Sequence, residues 1–483
     1  MQPWLMNLEE LVAGTRGKVL SQMDRKFFGV GTDTRADLTG KIFVALKGDS
    51  FDAHDFLDQA VARGAKALLV HRMPDKMGTL LDGVTVVQVD DTLLALQSLA
   101  KYWRRKMKAK VLAITGTNGK TTSKEFALQL MQPYRRVQAS KGSFNNHWGV
   151  PLSLLSIDAN HDVALIEMGM NHPGELETLC QMAEPDAVVV TMVGRGHLQG
   201  LGSIEGVARA KAEIYEAAPA KSTRIYNLSN PWTRAMYEAN QEISDGQVLT
   251  FAELGPTEPV ELTSADVSMK VLAMDRESLE VAGGIQGESG QIKVYVFGKQ
   301  NLNNLMVAAS LGLAAGLSPK EIWDGLKQCK MVWGRNQWVQ LQSGGRVLFD
   351  GYNANPESMK AALENFHQLP VPEGGRKFVV LGEMLELGEQ AHELHRDLAA
   401  QLANIQFDGV YFFGPSSAVV EAQLQAAGIK KNLYISSTYK EGLASELLPV
   451  LDANDVVLVK ASRGMRLERF LMDLNPVDFV PKS

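Results

Sequence analysis

Apolar residues in this chain fall into short continuous runs bounded by polar turns, and between the runs they recur at the three-to-four-residue spacing of a helix. Runs at 41–46, 65–71 and 84–89 predict strands, and the spacing over 56–62 and 92–106 predicts helices, which together make a small α/β unit. The run at 111–115 opens a longer alternation, with further strands at 162–167, 187–192 and 224–227 and a helix over 123–131. Strands that alternate with helices in this way predict a mostly parallel sheet covered by helices. From 248 to 297 the sequence becomes alternating and turn-rich, which predicts an antiparallel extension, and helices resume at 301–315 and 319–328. Runs at 347–349, 377–381, 409–413 and 455–459 predict a second, smaller doubly wound sheet. The expected fold is therefore α/β in three domains: a small N-terminal α/β domain over 1–106, a central mostly parallel-sheet domain over 107–331 and a C-terminal Rossmann-like α/β domain over 332–483. A hinge at 331–334 would let the last domain close on a ligand.

A length of 483 residues exceeds what one hydrophobic core supports, in keeping with several domains. Charge is mixed, with 49 basic and 55 acidic residues and a net of −6, which argues against nucleic-acid binding as the main task. The two cysteines, Cys180 and Cys329, lie far apart and lack a metal-like spacing, so neither a disulfide framework nor a zinc site is expected and a reducing cytoplasm is the simplest compartment. No basic start with an apolar segment marks a secretory leader, and no run approaches the ~20 apolar residues of a membrane span.

The densest chemistry sits at Val111-Leu112-Ala113-Ile114-Thr115-Gly116-Thr117-Asn118-Gly119-Lys120-Thr121-Thr122. An apolar strand that ends in Gly-x-x-Gly lets successive backbone N–H groups point into one concavity, and the following helix presents its positive end there. Lys120 could then reach terminal phosphates, and a Thr121 or Thr122 hydroxyl could ligate the Mg²⁺ that travels with them. The plain alternative is an ordinary strand-to-helix turn. Ile114 stands where a standard Walker A loop has its first glycine, so this is a shorter variant. Glu167, His197 and Asn227 fall at or just after strand ends, where ligands of such sheets bind. Glu167 and His197 read as metal ligands or, alternatively, as satisfied buried polar residues. In Asp33-Thr34-Arg35, Arg35 could grip a phosphate or simply form a surface ion pair with Asp33 or Asp52.

Several motifs recur in one order: Asp33-Thr34-Arg35 with Phe43-Val44-Ala45-Leu46; the glycine-rich loop; Asn145-Asn146 before Gly149-Val150-Pro151-Leu152; and Glu167-Met168-Gly169-Met170-Asn171-His172-Pro173-Gly174-Glu175. Then come His197-Leu198, Ala208-Arg209-Ala210-Lys211, Asn301 with Asn304, Tyr352-Asn353-Ala354-Asn355-Pro356, Leu381-Gly382-Glu383-Met384-Leu385-Glu386-Leu387-Gly388 and Lys460-Ala461-Ser462-Arg463-Gly464-Met465-Arg466. Over nearly its whole length the chain thereby resembles the Mur ligase family.

The resemblance implies an ATP-dependent carboxylate–amine ligase of peptidoglycan precursor synthesis. It would add D-alanyl-D-alanine to UDP-N-acetylmuramoyl-tripeptide through an acyl phosphate. It implies that 1–106 binds the UDP-muramyl peptide, that 107–331 is a P-loop ATPase domain, and that the protein acts as a cytoplasmic monomer. ATP would be held by Gly116, Thr117, Asn118, Gly119, Lys120, Thr121 and Thr122, with Asn301 and Asn304 at the adenine end and Arg335 and Asp350 approaching on domain closure. Two Mg²⁺ ions would be held by Thr121, Glu167, His197 and Lys211, the last as a carbamate formed with CO₂. An unmodified Lys211 would instead be a solvated helix charge. Substrate contacts would come from Asp33, Thr34, Arg35, Asn145, Asn146, Asn353, Asn355, Lys460, Ser462 and Arg463. Lys120, Glu167, His197 and Lys211 would carry the catalysis.

Other readings stand beside these. Asn301 could be a helix N-cap and Asn304 a core contact, and Lys460, Ser462 and Arg463 could form a basic surface turn. The chain departs from the family at Gly298-Lys299-Gln300-Asn301, where a histidine commonly precedes the asparagine, and at Phe144 and His147-Trp148 around the paired asparagines. Another Mur-type amino-acid ligase and a catalytically silent nucleotide-binding protein are the rival functions. The diamino-acid ligase motif Asp-Asn-Pro-Arg is absent from the sequence.

Overall fold

Val111, Leu112, Ala113 and Ile114 are fully buried because their strand, Lys110–Thr115, runs inside a nine-stranded sheet covered by helices. The computed structural model describes residues 4–48, 51–73, 83–240, 245–259, 265–405, 407–429, 432–448 and 451–481. In the central sheet the strand order is Glu288–Val294, Leu279–Ile285, Val267–Met274, Val248–Glu253, Thr223–Asn227, Ala187–Val190, Lys110–Thr115, Val163–Glu167 and Val137–Ala139. All pairings from Val267–Met274 to Val137–Ala139 are parallel, and only the last two pairs at the other edge are antiparallel.

The antiparallel extension is thus shorter than the alternation over 248–297 predicts. Alternation reports one solvated face and carries no information on direction, which the connection decides. Val248–Glu253 is reached through the helix Pro231–Ala239, a crossover that leaves it parallel to its neighbour. Residues 260–264, inside the predicted extension, lie outside the described residues. At the outer edge, Trp323 packs against Gly290, where a Cβ would overlap the indole, and its Nε1 donates to the Glu288 carbonyl at 3.3 Å.

Ahead of this sheet, Lys18–Ser21, Thr85–Gln88, Ala67–Val70, Ile42–Val44 and Val30–Gly31 form a five-stranded sheet, parallel except for its first pair. The predicted helix over 92–106 is present as Thr92–Lys106, capped by Asp91, whose carboxylate accepts from the Leu93 and Leu94 N–H groups. Its buried stripe of Ala95, Leu96, Leu99, Ala100 and Trp103 belongs to a core shared with Leu8–Thr15 and Gly149–Leu155, so it joins the first sheet to the second. After the central sheet, Gln337–Gln340 pairs antiparallel with Arg346–Asp350, followed in parallel by Val456–Lys460, Lys377–Gly382, Gly409–Phe413 and Leu433–Ser436.

Parallel strands all deliver their carboxyl ends to one edge of a sheet. At that edge of the central sheet stand the glycine-rich loop, Glu167, Thr191 and Asn227. At the same edge of the C-terminal sheet stand Asp350, Glu383 and Lys460. The two edges meet: Arg335 Nη2 donates to Thr121 Oγ1 at 3.2 Å, and Asn365 Nδ2 donates to Gln300 Oε1 at 2.7 Å.

The helix Lys120–Met131 owes its place to the face that carries Phe126, Ala127, Leu130 and Met131, packed on Asn301–Ala315 and the sheet. Phe126→Ala should remove about 3–5 kcal/mol from the central unit, since the ring is fully buried. Urea unfolding should show an earlier transition with little change in slope.

Candidate active site

The loop after Lys110–Thr115 takes a shape that only glycine permits at two points. Gly116 has φ +149° and Gly119 has φ +83°, and a Cβ would overlap Thr191 Oγ1 at the first and Asn304 Oδ1 at the second. Neighbouring side chains hold the loop open. Thr191 Oγ1 donates to the Asn118 carbonyl at 2.5 Å, and Thr117 Oγ1 accepts from the Gly194 N–H at 3.0 Å. Lys120 folds back, its Nζ donating to the Gly116 carbonyl at 2.7 Å. Burial pushes this amine below its ordinary range, and the Glu167 carboxylate acts in the opposite sense.

Beside the loop lies a cavity of about 290 Å³ between the two sheet edges, walled by Asn118, Gly119, Thr122, Asn301 and Asn304 on one side and Arg335, Asp350, Asn353 and Lys460 on the other. Asn301 and Asn304 form a buried chain: Asn304 Nδ2 donates to Asn301 Oδ1 at 2.8 Å, and Ser123 Oγ donates to Asn304 Oδ1 at 3.1 Å. Asn301 Nδ2 is anchored on the Phe297 carbonyl at 2.7 Å, and the N-cap position belongs to Gln300, so the N-cap alternative for Asn301 falls away. Across the cavity, the amides of Asn118 and Asn355 exchange two hydrogen bonds of 3.1 and 2.7 Å. Arg335 stacks on Tyr352 at 4.3 Å.

The predicted metal ligands are poised differently. Glu167 is buried, its Oε1 accepting from Asn145 Nδ2 at 2.9 Å while Oε2 has no partner among the described residues. An unpartnered carboxylate oxygen in that setting is the kind of donor a hard divalent cation takes. His197 sits in the left-handed region at φ +58°, with Nδ1 3.0 Å from Glu386 Oε2 but out of line for a hydrogen bond. Burial pulls its pKa down against the opposing pull of Glu386, which favours the neutral ring that binds metals. Lys211, predicted either as a modified ligand or a solvated charge, is 1% exposed. Burial and the charge of Lys120 both drive its pKa well down, with no carboxylate among the described residues to offset them, and a buried amine is not a solvated charge.

Other assignments move. Arg35 is exposed and pairs with Asp33 at 2.8 Å, the surface ion pair allowed for in the sequence, while Thr34 reaches Gln59 at 3.5 Å. Asp52 pairs instead with Arg72 at 3.0 Å. Among the described residues no contact joins Asp33, Thr34 or Arg35 to the cavity. Asn146 Oδ1 accepts from the Gly149 N–H at 2.9 Å and borders a separate hollow with Pro173 and Glu175. Lys460 is no part of a surface turn: it is buried and donates to Asp350 Oδ2 at 2.6 Å and the Asn353 carbonyl at 2.9 Å. That places Lys460 and Asn353 on the cavity wall, and Asn355 doubles as the N-cap of Pro356–Gln368. Ser462 accepts from the Leu385 N–H at 3.0 Å, and Arg463 pairs with Glu468 at 2.6 Å, over the Trp333 ring. The sequence reading missed Asn303, Glu357 and Glu386. Asn303 lies two residues past Asn301 and accepts from Asn227 Nδ2 at 2.8 Å, whereas Glu357 and Glu386 reach the cleft only through domain apposition.

The chain resembles known proteins over most of its length. Residues 114–312 match the Mur ligase middle domain and 334–463 the Mur ligase, glutamate ligase domain. A Bacillus subtilis UDP-N-acetylmuramoyl-tripeptide–D-alanyl-D-alanine ligase is 34% identical over 97% of each chain. The crystal structure of MurF from Acinetobacter baumannii superposes with a TM-score of 0.84 at 27% identity, covering 98% of this chain and 99% of that one. A Thermotoga maritima MurF ligase solved in complex with ADP gives a TM-score of 0.76 at 27% identity over 92% and 96%.

A side chain at Gly119 would strain a positive-φ residue and displace Asn304. Gly119→Ala should weaken ADP binding about tenfold or more, the equivalent of at least ~1.4 kcal/mol, with an unchanged circular dichroism spectrum. Calorimetric ADP affinity equal to that of the parent chain would contradict the role given to the loop.

Proposed function

The chain belongs to the Mur ligase family, and from that membership we propose that it joins D-alanyl-D-alanine to the terminal carboxylate of UDP-N-acetylmuramoyl-tripeptide at the expense of ATP. The observation that carries this reading is the apposition of the glycine-rich loop, with Lys120 and the unpartnered Glu167 oxygen, to a second sheet edge that supplies Arg335 and Asp350.

The chemistry follows from what a carboxylate lacks. Its oxygen leaves poorly until phosphorylated, so the γ-phosphoryl group passes from ATP to the carboxylate, ADP departs, and the amine of the dipeptide attacks the acyl phosphate and expels inorganic phosphate. The Thr117 N–H is spent on the Met192 carbonyl at 2.9 Å, so we assign the Asn118 and Gly119 N–H groups and the Lys120 amine to the charge of the transferring group, with Arg335 as a further cation from the third domain. Its contact with Thr121 ties closure of that domain to the nucleotide loop. Thr121, Glu167 and His197 would hold Mg²⁺, which when bound neutralises the crowded phosphate oxygens. Lys211 suits carbamylation because CO₂ reacts with a neutral amine, the form its burial favours. A carbamate there would put an anion in place of the neutral amine beside the metal site. We assign the adenine end of ATP to Asn301 and Asn304, and the muramyl peptide to Asn145, Asn146 and the N-terminal unit with Asp33, Thr34 and Arg35. Ser462 and Arg463, on the turn after Val456–Lys460, are assigned to the dipeptide side.

Phosphate release with ATP and Mg²⁺ should require both UDP-muramoyl-tripeptide and D-alanyl-D-alanine, with the pentapeptide mass in the product. Turnover with another amine and none with the dipeptide would move the chain to a sister ligase. Lys120→Ala should lose phosphate release by at least about a thousandfold while keeping its fold, and retained turnover would refute the assigned ATP site. Incubated with ¹³C-bicarbonate, the protein should show a carbamate carbonyl resonance that Lys211→Arg lacks. No such resonance in the active parent chain would remove the modified-lysine assignment.

A further inference from the structure

Lys124 lies one helical turn beyond Lys120 on Lys120–Met131, and its side chain is fully shut off from solvent. Its Nζ donates to the carbonyls of Ser140 at 2.5 Å and Gly142 at 2.8 Å and lies 3.1 Å from Glu125 Oε1. Burying a lysine head group is expensive unless its donors are used, and here two of them are spent on the main chain of one segment. That segment leads from the edge strand Val137–Ala139 to Asn145.

The same segment grips Glu167 at two further points. Ser140 Oγ accepts from the Glu167 N–H at 3.1 Å, and Asn145 Nδ2 donates to Glu167 Oε1 at 2.9 Å. The Asn145 carbonyl is itself held by the Gly169 N–H at 2.7 Å. One carboxylate oxygen of Glu167 is therefore occupied, and the other has no partner among the described residues.

We propose that Lys124 is a positioning residue: by pinning the backbone at Ser140 and Gly142 to the phosphate-loop helix, it sets Asn145, and through Asn145 it keeps Glu167 Oε2 available to the divalent cation that accompanies the nucleotide. Outer partners of a metal ligand fix its orientation in this way. The inference rests on the ligase reading only for why the cation matters, because the arrangement itself needs nothing but a nucleotide and a metal.

The test is Mn²⁺ binding in the presence of ADP, followed by electron paramagnetic resonance, for the parent chain, Lys124→Met, Asn145→Ala and the double variant. Each single change should weaken Mn²⁺ binding about tenfold, the lower end for loss of an outer partner. ADP affinity without metal should stay unchanged. The double variant should bind no more weakly than the worse single one, because both changes act through one carboxylate. Parent-like Mn²⁺ affinity in Lys124→Met, or losses that multiply in the double variant, would overturn the proposal. If thermal melting shows that Lys124→Met does not fold, Lys124→Gln, which retains an amide donor, is read in the same way and must bind Mn²⁺ more weakly than the parent. A parent chain that binds Mn²⁺ with ADP yet makes no pentapeptide would sink the ligase reading and leave this one standing.

Discussion

Positive charge held away from water is the constraint around which the central sheet is arranged. Among the described residues no carboxylate offsets the burial of Lys211, Lys120 is pushed down by its own enclosure, and Lys124 is shut off from solvent against the Ser140 and Gly142 carbonyls and the Glu125 carboxylate. An isolated ammonium in such a place is costly, and a folded chain keeps it only where something repays the desolvation. A polyphosphate does so, because it brings several negative charges to the same point. The glycines that let the backbone approach, the threonines that brace the loop and the asparagines that wall the cavity surround these buried amines.

The third domain completes that site from outside. Its contributions are mostly neutral or single-charge contacts made across the cleft: Asn355 with Asn118, Asn365 with Gln300, and Arg335 with Thr121. Gln300 stands where the family commonly has histidine, and it spends its carbonyl oxygen on Asn365. At this position a neutral amide therefore makes a hydrogen bond between domains.

What could be read from the sequence follows from how each part is encoded. Fully buried parallel strands appear as unbroken apolar runs, so Lys110–Thr115, Val163–Glu167 and Ala187–Val190 were legible, as was the glycine-rich loop, whose residues are contiguous. Met6–Asn7, Val30–Gly31 and Leu433–Ser436 were not, being too short or too evenly half-buried to leave a period. Of the candidate residues on the glycine-rich loop, Asn118, Gly119 and Thr122 line the cavity. The partners of others come from afar and leave no local trace: Asn355 meets Asn118 across 237 residues, and Lys460 meets Asp350 across 110. Nothing local distinguishes a lysine on a solvent turn from one that turns inward to brace an aspartate.

The outer rim of the central sheet has a consequence for life in a crowded solution. A long sheet must end somewhere, and an open row of amides and carbonyls invites a second molecule to continue it. Here the final strand, Glu288–Val294, alternates buried Ile292 and Val294 with exposed Gln291 and Lys293, and begins at the exposed Glu288. The Trp323 indole covers Gly290 and takes up the Glu288 carbonyl. Charges and one aromatic ring thus make the margin a poor template, and the chain can carry a broad sheet while discouraging edge-to-edge aggregation.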